Sequence, residues 1–388
     1  MTSIARENYL SELKEIDWDF SGENGTDGFA AYHWYPARYI PQLPGILIGY
    51  FSTPGEVVLD PFMGSGTTLL EAWKLGRRAI GVELNPVAVM IAQAKLFAPK
   101  ESFISLRGMV EQRARGLLVD PRFEAELPSM VPHFDENVGW YHPDTLLELA
   151  AIWTALGEVV SSEFYVVGIA AFSAILRYAS SQEKHWGWIC DNVKPKQKTY
   201  RTALKRFIEK LNEFERASRS LLDDGRSLQE SAVLLEEIMV KEGDCATVLA
   251  GLPDESVDLV VTSPPYYNMT DYISSQRLTH LWSDNEVDSV RLKEIGARFK
   301  RFRKTARAEY LDNMVDAFRE IHRVLRRHQM CCVVIGESPS HAPVLSELEA
   351  RFAELGFSQE AKLTRQVRKR RSLSPVLHSE EIILMRKG

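Results

Sequence analysis

Two short tracts carry residue types that can do chemistry. The first is Asp60-Pro61-Phe62-Met63-Gly64-Ser65-Gly66-Thr67-Thr68, which follows the β-branched run 56–60. Glycines where a strand ends let the backbone come close to a ligand, and a helix beginning there offers N–H groups with no intrahelical partner. Glu83 closes a second apolar run, 79–83. It stands about 20 residues on, the place from which a carboxylate accepts hydrogen bonds from ribose hydroxyls. Together the glycines and the carboxylate describe a site for an adenosine-containing ligand. NAD and ATP lose ground, because the third glycine of the dinucleotide fingerprint is missing and no Gly-Lys-Ser/Thr follows. The second tract is Thr262-Ser263-Pro264-Pro265-Tyr266-Tyr267, at the end of the apolar run 256–262. Successive prolines restrict the backbone and supply no N–H, so nearby carbonyls are left to accept from a ligand, while the tyrosines offer flat faces. Such a site suits a planar amine.

Both tracts need strands behind them. The run EVVLD (56–60) breaks at Pro61 and Gly64, 67–75 reads as a helix stopped by Gly76, and AIGVE (79–83) is a second strand before the helix-starting turn Asn85-Pro86. Strand, helix, strand implies a parallel sheet with a right-handed crossover. From 101 to 240 apolar residues recur every three or four positions, which predicts a mainly helical insertion with its best helices at 143–160 and 164–179. A second α/β block follows. SVDLVVT (256–262) is a buried strand, 310–325 a helix, MCCVVI (330–335) a strand and 344–355 a helix, with 358–371 and 378–386 an antiparallel pair closing the sheet. The expected fold is α/β, a Rossmann-like sheet with helices on both faces, divided as 1–100, an insertion at 101–240, and 241–388.

A hydrophobic share of 45% with 26% charged residues over 388 positions excludes disordered and collagen-like classes. Apolar stretches such as 164–176 stop short of the roughly 20 residues that span a bilayer. The first 15 residues carry acidic side chains and lack the apolar core of a secretory signal. No membrane span and a cytoplasmic location are expected. Cys190, Cys245, Cys331 and Cys332 include no C-x-x-C pair, so free thiols and no metal are expected.

The net charge of −6 rules out a coat of positive charge, but local basic tracts remain open to nucleic acid. One runs through Lys194, Lys196, Lys198, Arg201, Lys205, Arg206 and Lys210, a second through Arg291, Lys293, Arg298, Lys300, Arg301, Arg303, Lys304 and Arg307, and a third through Arg365, Arg368, Lys369, Arg370 and Arg371. For each, phosphate contact and a merely solvated surface are both open.

In combination these motifs resemble the amino-group DNA methyltransferases, which act on cytosine N4 or adenine N6. The resemblance covers roughly 33–96 and 242–386, more than half the chain. DPFMGSGTT is similar to the family's cofactor loop, VELNP (82–86) to its ribose-binding strand end, Gly243-Asp244 to the segment that holds adenine, HWYPAR (33–38) to the element lining the methionine end, and TSPPYY to its catalytic motif. The resemblance therefore implies a class I sheet that binds S-adenosylmethionine. It places His33, Pro36, Asp60, Pro61, Phe62, Gly64, Ser65, Gly66, Thr67, Thr68, Glu83, Leu84, Asn85 and Asp244 at the cofactor and Ser263, Pro264, Pro265 and Tyr266 in catalysis. The cofactor half precedes the catalytic half, whereas text of this style looks most like members with the reverse order, so a circular permutation is expected.

The implied reaction is an in-line displacement in which the amino nitrogen of a flipped base attacks the sulfonium methyl. The Ser263 hydroxyl and the Pro264 carbonyl would meet the charge developing on nitrogen, and Tyr266 or Tyr267 would stack on the base. In the family Ser at this position is associated with cytosine N4 and Asp or Asn with adenine N6. Cytosine C5 chemistry needs a Pro-Cys pair, which is absent. Double-stranded DNA is the implied partner, with Tyr267, Lys194, Lys196, Lys198, Arg301, Arg303, Lys304, Arg368 and Arg370 as expected contacts. The insertion, with Trp186, Trp188 and Tyr200, is the first candidate for target recognition. A cognate restriction or defence component is admitted, and the oligomeric state is open. The rival readings are adenine-N6 methylation of DNA, guanine-N2 methylation of RNA, and a non-catalytic nucleic-acid-binding scaffold.

Overall fold

Valine and isoleucine runs buried on both faces make the centre of the structure, a computed structural model that describes residues 3–20, 28–38, 40–96, 103–159, 162–182, 194–222, 237–283, 287–336, 344–367 and 379–388. Its strands are β1 (Val57–Asp60), β2 (Arg78–Glu83), β3 (Ile238–Glu242), β4 (Val257–Thr262), β5 (Leu325–Gly336), β6 (Phe357–Gln366) and β7 (Ser379–Lys387). They form one seven-stranded sheet in the order β3-β2-β1-β4-β5-β7-β6. β1 lies parallel to β2 and β4, while β7 runs antiparallel to both β5 and β6. Every residue of β1 and of β4 is buried, the pattern of central strands covered by helices on both sides. This is the Rossmann-like α/β fold that the sequence implies.

The local signals act as read. Gly66 adopts a left-handed conformation with φ 77° before the helix Thr67–Lys74, and Gly76, φ 76°, follows its end. Asn85 caps the helix Pro86–Lys95, its side-chain oxygen accepting from the Val87 N–H at 3.0 Å. Asp258, an acidic residue within the apolar β4, is buried because it accepts from the Val57 N–H at 2.9 Å and pairs with Arg326.

The insertion is helical through Phe103–Leu118, Phe123–Met130, Pro143–Val159, Ser162–Ala179 and Ala203–Leu222. It does not carry a core of its own. Ile152, Phe172 and Phe207 from these helices share one cluster with Phe29, Tyr32 and Trp73 before the insertion and with Leu278 and Trp282 after it. Nor does it end at 240, since β3 spans Ile238–Glu242 and pairs with β2 along Ala79–Glu83. That strand escapes sequence reading because it is a partly exposed edge with Met239 45% exposed, so its apolar residues do not mark a buried run. The C-terminal pair is antiparallel as expected, yet the last strand, β7, lies inside and β6 forms the edge. Along the chain the glycine-loop strand comes first and the TSPPYY strand later, and in the sheet the two are direct neighbours. Among the described residues no helix is long and apolar enough to cross a membrane. Cys245, Cys331 and Cys332 are free and buried, whereas Cys190 lies outside the described residues.

Candidate active site

Strand order reverses between β1 and β4, and the crevice beyond the carboxyl ends of such strands is where an open α/β sheet binds ligands. A cleft of about 870 Å³, open to solvent, lies there. The glycine tract, the end of β2, the turn after β3 and the TSPPYY tract all border it. Of the sequence-predicted residues, Pro36, Pro61, Phe62, Gly64, Ser65, Thr67, Glu83, Leu84, Asn85, Asp244, Ser263 and Pro265 line its walls.

The glycine loop is held from several sides. Gly64 has φ 51°, and its N–H donates to Glu83 Oε2 at 3.0 Å. A Cβ on Gly66 would come within 2.8 Å of the Ala92 Cβ, so the loop can sit against the helix Pro86–Lys95 only as glycine. Behind the loop Lys95 is buried and donates to the Ser65 carbonyl at 2.7 Å and to Ser65 Oγ at 3.0 Å. Burial pushes its ammonium well below the ordinary lysine range, with the Arg38 charge adding to the effect.

Glu83 takes the Asn85 N–H on Oε1 at 2.8 Å and the Gly64 N–H on Oε2. Each oxygen keeps a lone pair for a diol. Burial raises this carboxyl to about 7, against the opposing pull of those backbone donors. Asp244 caps the helix Cys245–Leu249 through Thr247, and the Gly243 N–H donates to the Glu83 carbonyl at 2.9 Å, which ties the turn after β3 to the end of β2.

On the β4 side the Ser263 hydroxyl lies 3.2 Å from the Tyr266 hydroxyl. The turn is braced by Tyr310, which donates to the Pro265 carbonyl at 3.0 Å.

A family model described as DNA methylase matches residues 6–94, a stretch that includes the glycine loop and the end of β2. The Type II methyltransferase M.MvaI of Kocuria varians is 25% identical over 265 residues, covering 66% of this chain and 58% of its own length. M.BsoBI of Geobacillus stearothermophilus, another Type II methyltransferase, is 25% identical over 291 residues, 68% of this chain and 54% of its own. This chain is thus similar to the DNA methylase family over 6–94 and to these two Type II methyltransferases over about two thirds of its length. It spans a little over half the length of those two relatives. Among solved structures, TrmN from Thermus thermophilus covers 90% of this chain and 49% of its own at 12% identity, with a TM-score of 0.35. The fold is defined by the strand order β3-β2-β1-β4-β5-β7-β6.

Several expected site residues do other work. His33 does not border the cleft. It is buried between segments, with Nδ1 donating to the Trp34 carbonyl at 2.7 Å and Nε2 bonded to Ser173 Oγ at 2.8 Å, which in turn meets Thr279 Oγ1 at 2.6 Å. Burial lowers its imidazole to about 3, so it is a neutral tie between the insertion and the helix Arg277–Ser283. Asp60, Gly66 and Thr68 stand behind the wall. Asp60 is fully buried and organises both tracts by accepting from Thr68, Thr262 and the Phe62 N–H.

Pro264 and Tyr266 are buried and do not line the cleft, and the half-buried Tyr267 packs against Tyr310 with ring centres 5.2 Å apart. Neither ring borders the cleft, where the expected stacking on a base would take place. The flat faces at the cleft are Tyr35 and Tyr272, stacked at 6.1 Å and 24°.

Sequence reading also missed Glu294. It is buried in the cleft wall with one oxygen taking the Ile273 N–H at 3.1 Å and the other without a hydrogen bond, and burial raises it to about 8. Nothing in its neighbours along the chain marks it. Tyr35 and Arg38, which line the cleft as well, lie in the same HWYPAR tract that supplied His33 and Pro36.

The basic tracts divide. Lys194 pairs with Glu136 at 2.8 Å and Lys198 donates to the Val138 carbonyl at 2.5 Å, so these two brace the insertion, while Lys196 is exposed. Arg301, Arg303 and Lys304 are exposed around Phe302, which is 82% exposed with the Arg301 guanidinium 4.2 Å above its ring. Their segment is tethered to the turn after β4 by the Asn268 N–H to Gly296 carbonyl bond, 2.9 Å, and the Phe299 N–H to Asp271 bond, 2.8 Å. Arg368, Arg370, Trp186 and Trp188 lie outside the described residues. Tyr200 is exposed and donates to Glu148 at 2.6 Å. Among the described residues no group of three or more His, Cys, Asp or Glu side chains is placed to hold a metal ion.

Proposed function

We propose that this chain is an S-adenosylmethionine-dependent DNA methyltransferase that methylates the exocyclic amino group of a flipped base, cytosine N4. The observation that carries this is one cleft with Glu83, Gly64 and Asp244 on one wall and Ser263 on the other. The residues fit the cofactor. The left-handed Gly64 and Gly66 hold a loop open to a ligand, Glu83 has lone pairs for ribose hydroxyls, and Asp244, in the same cleft, would meet the adenine. When bound, the cofactor supplies an electrophilic methyl group on a sulfonium. The chain's residues bind and orient it through the glycine loop, with Tyr35 and Tyr272 giving the cleft two flat faces.

An exocyclic amine is a weak nucleophile because its lone pair is shared with the ring, and its nitrogen gains positive charge as the new bond forms. The Ser263 hydroxyl, which borders the cleft, meets that charge by orientation and electrostatics. A base inside a duplex cannot reach the cleft, so it is flipped out at a cost of a few kcal/mol. Ser263, where Asp or Asn would point to adenine N6, supports cytosine N4. Double-stranded DNA is the proposed partner, with Arg301, Arg303 and Lys304 on its phosphates; these contacts set affinity and register rather than sequence. A cognate restriction or defence component stays an expectation from the family.

Calorimetric titration with S-adenosylmethionine, followed by competition between duplex DNA and structured RNA in a transfer assay, tests this reading. Cofactor binding lost in Gly64→Trp and transfer blocked by DNA but not RNA are expected. Transfer to RNA alone would refute the DNA assignment, and cofactor binding without transfer to either would leave only a scaffold.

A further inference from the structure

A buried chain of hydrogen bonds leads out of the cleft behind Ser263. Its hydroxyl lies 3.2 Å from the Tyr266 hydroxyl, and Tyr266 donates to Glu380 Oε1 at 2.8 Å. A carboxylate has no proton to give and a phenol has one, so the direction is set: Ser263 donates to Tyr266, and Tyr266 donates to Glu380. Glu380 on β7 is register-paired with Arg365 on β6. The Arg365 Nη1 lies 3.6 Å from Glu380 Oε2, with side-chain exposures of 8% and 12%. Three strand ends, far apart in sequence, thus converge on the one hydroxyl expected to face the target amine.

We propose that Glu380 is the final acceptor of the proton that the target amine loses, reached through Ser263 and Tyr266. This rests on the methyl-transfer reading. As the nitrogen lone pair forms the N–C bond, the C–S bond breaks and its electron pair stays on sulfur, leaving a neutral thioether. The nitrogen releases one proton to Ser263 Oγ, the serine's own proton passes to Tyr266 Oη, and the tyrosine's passes to Glu380. One sulfonium charge and one carboxylate charge disappear together, so the buried site keeps its net charge and Arg365 its own.

A relay is needed because a serine hydroxyl cannot hold a second proton. Burial and the neighbouring Glu380 push the Tyr266 phenol well above its ordinary range, so it passes a proton on rather than parting with its own for long. The other cleft carboxyls are poor acceptors. Glu83 is raised to about 7 and Glu294 to about 8, so near neutrality about half of the first and most of the second already carry a proton.

The test is single-turnover transfer of labelled methyl from S-adenosylmethionine to unmethylated plasmid DNA, in H2O and D2O, with S-adenosylhomocysteine affinity measured in parallel. Glu380→Gln can still accept the Tyr266 hydrogen bond but not its proton. It and Tyr266→Phe should each slow transfer roughly 100-fold or more, lose the solvent isotope effect, and keep cofactor affinity. The double variant should be no slower than the slower single, and Glu380→Asp should recover part of the rate. Full rate in Glu380→Gln overturns the relay, as does a slowing that brings equal loss of S-adenosylhomocysteine affinity, which marks Glu380 as scaffolding. A wild type that binds cofactor but transfers no methyl refutes the methyl-transfer reading instead.

Discussion

Thr262 Oγ1 donates a 2.7 Å hydrogen bond to Asp60 Oδ1, so the strand carrying the TSPPYY tract and the strand carrying the glycine loop are joined at the point where the cleft begins. Asp60 is wholly buried and also accepts from Thr68 Oγ1 at 2.5 Å and the Phe62 N–H at 3.1 Å. Thr262→Val removes one donor and should cost about 1–2 kcal/mol, whereas Asp60→Ala orphans three and should cost about 3 kcal/mol or more. Urea unfolding of the two variants checks the order. Equal costs would mean that the bonds to Thr68 and Phe62 contribute nothing.

Lys95 separates loop positioning from stability. A buried ammonium is expensive, so an apolar replacement of similar size is neutral or stabilising. Ser65, however, loses both of its bonds to Nζ. Lys95→Met is expected to keep or raise the unfolding midpoint while weakening S-adenosylmethionine binding by roughly tenfold, about 1.4 kcal/mol. Calorimetry showing unchanged affinity would remove Lys95 from the account of the site.

Glu294 makes stability depend on pH. Its folded value is about 8 against an ordinary 4.5, raised chiefly by burial. At acid pH below 4.5 both folded and unfolded chains carry the proton and its contribution is whole. As pH rises from there towards about 8 the unfolded chain ionises first, and stability falls. The loss is on the order of a few kcal/mol at most. Thermal melts of the ligand-free protein between pH 5 and 8 should show a slope that flattens in Glu294→Gln; an identical slope in that variant sinks the assignment.

The exposed tract around Phe302 should touch phosphate, whereas Lys194 and Lys198 should act on the insertion itself. The triple change Arg301→Ala, Arg303→Ala, Lys304→Ala is expected to lower DNA affinity for every sequence tested. It should also reduce the slope of log affinity against log salt by about 0.9 for each phosphate no longer neutralised. Lys194→Ala should leave that slope alone. A triple variant with the wild-type salt slope would take this surface off the DNA.

The sequence made the cleft walls legible because each wall is a continuous tract at a strand end. Gly64, Glu83, Asp244 and Ser263 lie where their local motifs suggest. What it could not show is which face a side chain buries. Tyr266 and Tyr267 look like open stacking surfaces in TSPPYY, yet Tyr266 is buried and Tyr267 leans on Tyr310, and His33 turns away to Ser173. Glu294 is one of 53 acidic residues, and only its burial beside Ile273 sets it apart. Glu380 meets both Tyr266 and Arg365 through the order of β5, β7 and β6, a relation between distant strands that no local spacing encodes. The insertion is legible as helices but not as part of a shared core, because its partners Phe29 and Trp282 come from either side of it in the chain.

The most direct measurement is incubation of unmethylated genomic DNA with the protein and labelled S-adenosylmethionine, followed by mass spectrometry of the nucleosides, with Ser263→Ala alongside. The account predicts N4-methylcytosine, strongly reduced in Ser263→Ala. N6-methyladenine would overturn the base assignment, and the absence of any methylated nucleoside from a protein that binds the cofactor would contradict the central claim.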